Sequence, residues 1–192
     1  EMPGKICIRT LRDLCRHYSE YGVKSQIIDL VPTRPEMEFP DALNMERKFI
    51  LHIGPTNCGK TFHALERLRE SEHGVYLGPL RLLALEVYEK MKDFGLACTM
   101  LTGEECIREE DSRVISSTIE MLDIDQTYDV AVIDEAQMIA DEDRGHSWTR
   151  AILGVKASEI HICMSPAAEK VITHLITLCH DSYEIRRYER MT

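Results

Sequence analysis

The octet Gly54-Pro55-Thr56-Asn57-Cys58-Gly59-Lys60-Thr61 constrains this chain more than any other stretch of it. It meets the pattern G-x-x-x-x-G-K-[S/T] at every fixed position. An apolar run, Phe49-Ile50-Leu51-His52-Ile53, leads in, and Phe62 to Arg69 holds no helix breaker. The spacing therefore predicts a loop between a strand and a helix. In such a loop glycines let the backbone wrap round phosphate with its N–H groups turned inward, and the helix that follows adds the positive end of its dipole. On this reading Gly54, Pro55, Thr56, Asn57, Cys58, Gly59, Lys60 and Thr61 cradle the phosphates of a nucleoside triphosphate. Lys60 reaches the β- and γ-phosphates, and the Thr61 hydroxyl helps to hold Mg²⁺.

Such a site also needs an acid at the end of another strand. Val130-Ala131-Val132-Ile133 runs straight into Asp134-Glu135-Ala136-Gln137. Four buried-type residues followed by two acids predict a central parallel strand, whose C-terminal end is where open α/β sheets bind ligands. Asp134 is expected beside Mg²⁺, in its second shell. Glu135 is placed to orient and polarise the water that attacks the γ-phosphate, and Gln137 to report that phosphate to a neighbouring element. Taken alone, two acids after a strand only open a solvated loop. The phosphate loop ahead of them favours the functional reading.

The remainder of the chain alternates strand and helix. Strands are predicted at Val75 to Leu77, Cys98 to Leu101, Arg113 to Ile115, Ile160 to Met164 and Tyr183 to Tyr188. A helix places Leu80, Leu83, Ala84, Val87, Met91 and Phe94 on its apolar face and closes at Gly95. Ser116-Ser117-Thr118 leads into a short helix, another lies near Trp148 to Leu153, and a third holds Val171, Ile172, Leu175 and Ile176 on one face. Trp148, Tyr76, Tyr88 and Met91 are expected in the core. The fold class is α/β, a mainly parallel sheet with helices on both faces. Ahead of it, Leu11, Leu14, Cys15, Tyr18 and Tyr21 repeat at helical spacing up to Gly22, and Val31 to Pro40 reads as an extended connector with three prolines. Residues 1–43 are thus expected to be a small helical appendage and connector, and residues 44–192 the nucleotide-binding domain.

Bulk properties narrow the partners. A length of 192 residues suits one self-standing core. No apolar run approaches the roughly 20 residues of a membrane span, and no leader marks the chain for secretion. It begins with Glu1, as an excised or processed chain does. Seven cysteines without a C-x-x-C pair predict reduced, partly buried thiols rather than disulfides or zinc. His161 and Cys163 alternate as a metal pair does, but lack further ligands. A net charge of −10 argues against a surface that coats nucleic acid and predicts weak RNA or DNA binding by this chain alone.

A phosphate loop with D-E-A-Q, followed by a strand that ends in Ser165-Pro166-Ala167, resembles the first RecA-like motor domain of superfamily-two helicases. Gly78-Pro79-Leu80-Arg81-Leu82-Leu83-Ala84-Leu85-Glu86 is similar to the motif in which that family grips nucleic-acid phosphates. Thr102-Gly103-Glu104-Glu105 and Ser117-Thr118-Ile119-Glu120-Met121 occupy the places of two further strand-contacting motifs. The wording G-P-T-N-x-G-K-T, the run Val130 to Met138 and Trp148-Thr149-Arg150-Ala151 resemble the suppressor-of-var ATP-dependent RNA helicases. The likeness covers nearly everything from Lys48 to Thr192.

That resemblance implies a good deal. The cofactors are ATP and Mg²⁺, and the substrate is single-stranded or duplex RNA, unwound for RNA decay. Pro79, Arg81, Thr102, Gly103 and Thr118 contact the nucleic acid, and Ser165 couples the two sites. Partners are a second RecA-like domain and an exoribonuclease of an RNA-decay complex. The location is the mitochondrial matrix in a eukaryote and the cytoplasm in a bacterium. Two departures stand out. Met164-Ser165 replaces the family's Gly-acid pair after Cys163, and the chain stops where the second motor domain, with its arginine fingers, is expected. Arg186, Arg187 and Arg190 read as surface or linker charges. Arginine fingers are worth about 10³–10⁵ in turnover, so the chain alone is expected to bind Mg-ATP, hydrolyse it very slowly and unwind nothing.

Plainer readings stay open for single residues. Arg81 can be a solvated helix start, Thr102 and Thr118 strand ends or caps, and Ser165 a helix cap. Two rival functions also stand. A thymidine kinase-like phosphotransferase shares the loop and can show D-E-x-Q, but these cysteines do not make its zinc site, and it leaves Pro79 to Glu86 and Thr102 to Glu105 unexplained. A nucleotide-dependent scaffold or switch would bind ATP without useful turnover.

Overall fold

Strands buried on both faces need near-continuous apolar runs, and the chain supplies them at the centre of one sheet. The computed structural model describes residues 34–189. Its strands are β1 (Lys48–Ile53), β2 (Gly74–Gly78), β3 (Cys98–Leu101), β4 (Cys106–Ile107), β5 (Val114–Thr118), β6 (Thr127–Ile133), β7 (Lys156–Met164) and β8 (Ser182–Arg187). They form one eight-stranded sheet in the order β4-β3-β5-β2-β6-β7-β1-β8. Every pairing is parallel except the short β3–β4 ladder.

The helices are α1 (Pro40–Leu43), α2 (Lys60–Arg69), α3 (Arg81–Asp93), α4 (Gly145–Gly154) and α5 (Glu169–Leu178). From β1 to β2 to β3 the chain steps one way along the sheet, and from β6 to β7 to β8 it steps the other way. Right-handed crossovers then put α2 and α3 on one face and α4 and α5 on the other. The two cores show this division. Ala64, Leu68, Val87 and Met91 pack with Tyr76, Val130 and Val132, whereas Trp148, Ile152, Ile172 and Ile176 pack with Leu77, Ala131 and Ile133. Alternate residues of β6 thus feed opposite cores, as the pleat requires.

Behind the core sits a buried cation. Arg47 donates from Nη1 to the carbonyls of Ile152, Leu153 and Val155 at 3.0–3.3 Å. Its Nε and Nη2 both reach Asp181 Oδ2, at 3.1 and 2.5 Å. One guanidinium therefore closes the C-terminal end of α4 and ties it to the turn between α5 and β8.

Several local expectations need correction. Leu80 and Phe94 are each 53% exposed, because they cap α3 rather than face inward; the Arg69 guanidinium covers the Phe94 ring at 4.7 Å. Val171 is also exposed, at the rim of α5. Ser116, Ser117 and Thr118 do not lead out of a strand but complete β5, paired with β2, and β3 flanks the first two. Their burial is tolerated because Ser116 Oγ donates to Ala84 O at 2.6 Å and Ser117 Oγ to Thr118 O at 2.9 Å. Pro35 and Pro40 do not lie in an extended connector. Each opens a helical turn at its first position, and Phe39 between them packs on Gly154. Cys58, Cys98, Cys163 and Cys179 are buried free thiols and Cys106 an exposed one. The predicted helix at Leu11 to Tyr21, Cys7, Cys15 and Arg190 lie outside the described residues.

Candidate nucleotide site and its flanking segments

The loop that follows β1 turns into α2 through two residues of positive φ, Asn57 (59°) and Gly59 (85°), the second of which suits glycine. Gly54 is fixed by a close approach instead. A Cβ there would fall 2.8 Å from the carbonyl oxygen of Tyr188 and 2.7 Å from Cys58 Sγ. Lys60, buried at the first position of α2, donates from Nζ to the Pro55 carbonyl at 2.9 Å. A cleft of about 420 Å³ opens beside these residues, lined by Thr56 to Thr61, by Asp134 and Glu135, and by Leu83 and Val87 of α3.

Asp134 ends β6 and is 3% exposed. Its Oδ1 accepts from the Thr61 hydroxyl at 3.1 Å and from the Glu135 N–H at 2.9 Å, and its Oδ2 accepts from Tyr76 OH at 3.0 Å. Burial pushes the Asp134 carboxyl above the ordinary carboxylate range, although the Glu135 N–H and the two hydroxyls pull the other way. All three partners are neutral. A buried carboxylate next to a hydroxyl, without a cation among these partners, is a hard-oxygen donor set that fits Mg²⁺.

Glu135 stands in the left-handed region, φ 49° and ψ 43°, a conformation that strains a non-glycine residue and gathers at functional sites. Its Oε2 accepts from Gln137 Nε2. Gln137 Oε1 in turn accepts from the Ser165 N–H at 3.1 Å. One amide thus links the acid at the end of β6 to the residue just past β7.

Pro79, Arg81, Thr102, Gly103 and Thr118 all fall along the same C-terminal edge of the sheet, since Gly78 pairs with Thr118 and Leu101 with Ser117. Their side chains differ in availability. Arg81 is half exposed and pairs with Glu105 at 2.7 Å and Glu104 at 3.4 Å. Gly103 is exposed. Thr102 is buried, and its hydroxyl accepts from the Glu105 N–H at 3.0 Å and donates to the Glu105 carbonyl at 3.1 Å. Pro79 and Thr118 are buried too.

Two groups escaped the sequence reading. Tyr76, expected only as core, holds Asp134; a buried tyrosine usually finds a partner for its hydroxyl, and that was the available signal. The second group is a chain beneath α2, buried at its two histidines and partly exposed at both ends. Glu159 Oε1 lies 2.7 Å from His161 Nε2, His161 Nδ1 lies 2.8 Å from His52 Nε2, and His52 Nδ1 lies 2.7 Å from Tyr188 OH. Glu159 can only accept, so each ring in turn donates toward it and Tyr188 donates last. Burial, helped by His161, lowers His52 to about 3, and burial lowers His161 despite Glu159. His161 serves this chain, with Cys163 buried two residues on.

The family model and the curated relatives agree on one family. The model of the DEXQ-box helicase domain of Suv3 matches residues 35–188. The chain is 48% identical over 162 residues to the mitochondrial ATP-dependent RNA helicase SUPV3L1 of Danio rerio, covering 82% of this chain and 21% of that protein. It is 45% identical over 187 residues to the mitochondrial DExH-box ATP-dependent RNA helicase DExH18 of Arabidopsis thaliana, covering 97% and 23%. The chain therefore spans about a quarter of the length of such relatives. Among solved structures, the Pyrococcus furiosus Hef helicase domain superposes with a TM-score of 0.51 at 20% identity, covering 83% of this chain and 39% of that one. The helicase MrfA bound to DNA gives 0.52 at 17% identity, covering 91% and 29%. At these identities the likeness is one of fold, the RecA-like lobe expected from the sequence.

Proposed function

Because this chain belongs to the family of the DEXQ-box helicase domain of Suv3, we propose that it is the ATP-binding motor lobe of an ATP-dependent RNA helicase. The observation that carries this reading is the meeting of Lys60, Thr61, Asp134 and Glu135 at one cleft. Residues 44–192 form the motor lobe, with the turns from Pro35 packed on it, and residues 1–43 the appendage. Lys60 leaves the Pro55 carbonyl for the β- and γ-phosphates. Thr61 and Asp134 hold Mg²⁺, which when bound neutralises charge on those phosphates. Glu135 orients the attacking water and takes its proton, while Gln137 restrains the carboxylate and connects it to Ser165. Single-stranded RNA crosses the sheet edge at Pro79, Arg81, Gly103, the turn held by Thr102 and the strand end at Thr118. A second RecA-like domain closes over the nucleotide and adds the arginines. RNA decay with an exoribonuclease is the biological setting, in the mitochondrial matrix of a eukaryote or the cytoplasm of a bacterium. The family leaves the kinase reading without support.

The test is steady-state ATP turnover by this chain, with and without single-stranded RNA, with Lys60→Ala as the blank. Turnover near the blank despite Mg-ATP binding is expected. Brisk turnover by the chain alone would refute the motor-lobe reading.

Asp134 adds a prediction with a definite sign. Its raised pKa means that the folded protein keeps a proton that the unfolded chain has released, in the window just above the ordinary carboxylate range. Stability is therefore fully present below the unfolded value and falls as pH rises through the folded one. At pH 7, without Mg-nucleotide, Asp134→Asn is expected to melt higher than the parent. Its affinity for Mg-nucleotide is expected to drop about 10–100-fold. Paired melting and titration check both; a lower melting temperature with unchanged affinity contradicts the assignment.

A further inference from the structure

Segments assigned to RNA and to nucleotide meet at a side chain that belongs to neither. Arg144, the residue that enters α4, donates from Nη2 to the Pro79 carbonyl at 2.5 Å. The same nitrogen reaches Glu120 Oε1 at 2.7 Å, and Nε adds a bond of 2.9 Å to that oxygen. Pro79 lies just ahead of Arg81, and Glu120 lies just after Thr118. On its other side the guanidinium stands 5.7 Å from the centre of the Trp148 ring. The Trp148 indole N–H donates to the main-chain carbonyl of Asp134 at 3.1 Å.

We propose that Arg144 and Trp148 form a positioning bridge that couples Asp134 to the two RNA-facing segments, Pro79 to Arg81 and Thr118 to Glu120. The inference rests on the function proposed above. Trp148 is fully buried, so a shift of the Asp134 main chain cannot be absorbed by a loose ring. Arg144 springs from a fixed turn, because Asp141 Oδ1 accepts the N–H groups of Asp143 and Arg144 at 3.0 and 2.8 Å. Its planar fork reaches two acceptors at set angles, which a lysine cannot reproduce. The bridge is separate from the Glu135–Gln137–Ser165 link. Ser165 follows β7, on one side of β6, whereas Pro79 and Thr118 follow β2 and β5, on the other.

The coupling is measured as the ratio of RNA affinities with and without a non-hydrolysable Mg-ATP analogue. Fluorescence anisotropy of labelled single-stranded RNA reads it for this chain and for its Arg144→Lys, Glu120→Ala and Trp148→Phe variants, the second of which removes the oxygen that accepts both guanidinium bonds. The parent ratio is expected to differ from one by about fivefold or more, with RNA shifting analogue affinity by the same factor. Each variant is expected to bring the ratio close to one while analogue affinity without RNA stays at the parent value. Loss of packing alone would lower the melting temperature and leave the ratio in place. If Trp148→Phe fails to fold, the two surface variants decide. Variants that bind both ligands with the parent ratio overturn the bridge and leave the motor-lobe reading intact. A parent ratio of one also overturns the bridge. A parent that binds neither ligand overturns both.

Discussion

In a chain extended by the second motor domain proposed above, Glu135→Gln is expected to lower ATP turnover by about 10²–10⁴-fold, the usual worth of a positioned general base. Mg-ATP affinity is expected to stay at the parent level. The substitution keeps the length of the side chain and an oxygen that can accept from Gln137, so the link to Ser165 survives. It removes the capacity to take a proton from water. Asp134 keeps both hydroxyl partners and the main-chain N–H of residue 135, so the side proposed for Mg²⁺ is untouched. Single-turnover hydrolysis alongside nucleotide titration separates the effects. A variant that hydrolyses within about tenfold of the parent rules Glu135 out as the base. A variant that mainly loses affinity would move the carboxylate to nucleotide binding.

Arg47→Ala is expected to destabilise the domain by about 3–5 kcal/mol, the cost of breaking a buried ion pair from one side. For a domain of this size the melting temperature should fall by on the order of 10 °C. Three carbonyls at the end of α4 and the Asp181 carboxylate lose their donor together. The Asp181 side chain is 6% exposed, and burial raises its carboxyl even with the guanidinium beside it. Thermal melts of Arg47→Ala and Arg47→Met/Asp181→Leu decide the matter. Recovery in the double variant is expected, because apolar replacement of both partners removes the unpaired charge. A single variant that melts within about 2 °C of the parent would show that the pair contributes almost nothing.

Much of this architecture was legible because local signals agreed. The phosphate loop, the acidic strand end and the helix stripes around Val87 and Ile172 each follow a period or a fixed spacing, and the structure places them where those patterns require, with Leu80, Phe94 and Val171 as the exposed exceptions. What escaped was decided by partners distant in sequence. Ser116 and Ser117 look like a loop until Ala84 offers a carbonyl and strands close in on both sides. Arg47 looks like a surface charge ahead of a strand, and only the α4 carbonyls and Asp181, more than a hundred residues on, make it an interior residue. Arg144 and Tyr76 are of the same kind. No spacing rule marks a residue whose role is set by which loop ends happen to converge.

The contact between Gly54 and Tyr188 has a mechanical side. β8 runs parallel to β1 from Lys48 against Ser182 to Ile53 against Arg187, and Tyr188 N–H then donates to the Ile53 carbonyl at 2.8 Å. A pull on the chain beyond β8 along the strand axis loads that ladder in shear, with its rungs strained in parallel rather than opened one by one. The first backbone to bear the load is the turn in which Tyr188 abuts Gly54, at the root of the phosphate loop. Tension at this exit would thus fall first on the backbone that seats Gly54, while the β1–β8 rungs share the load.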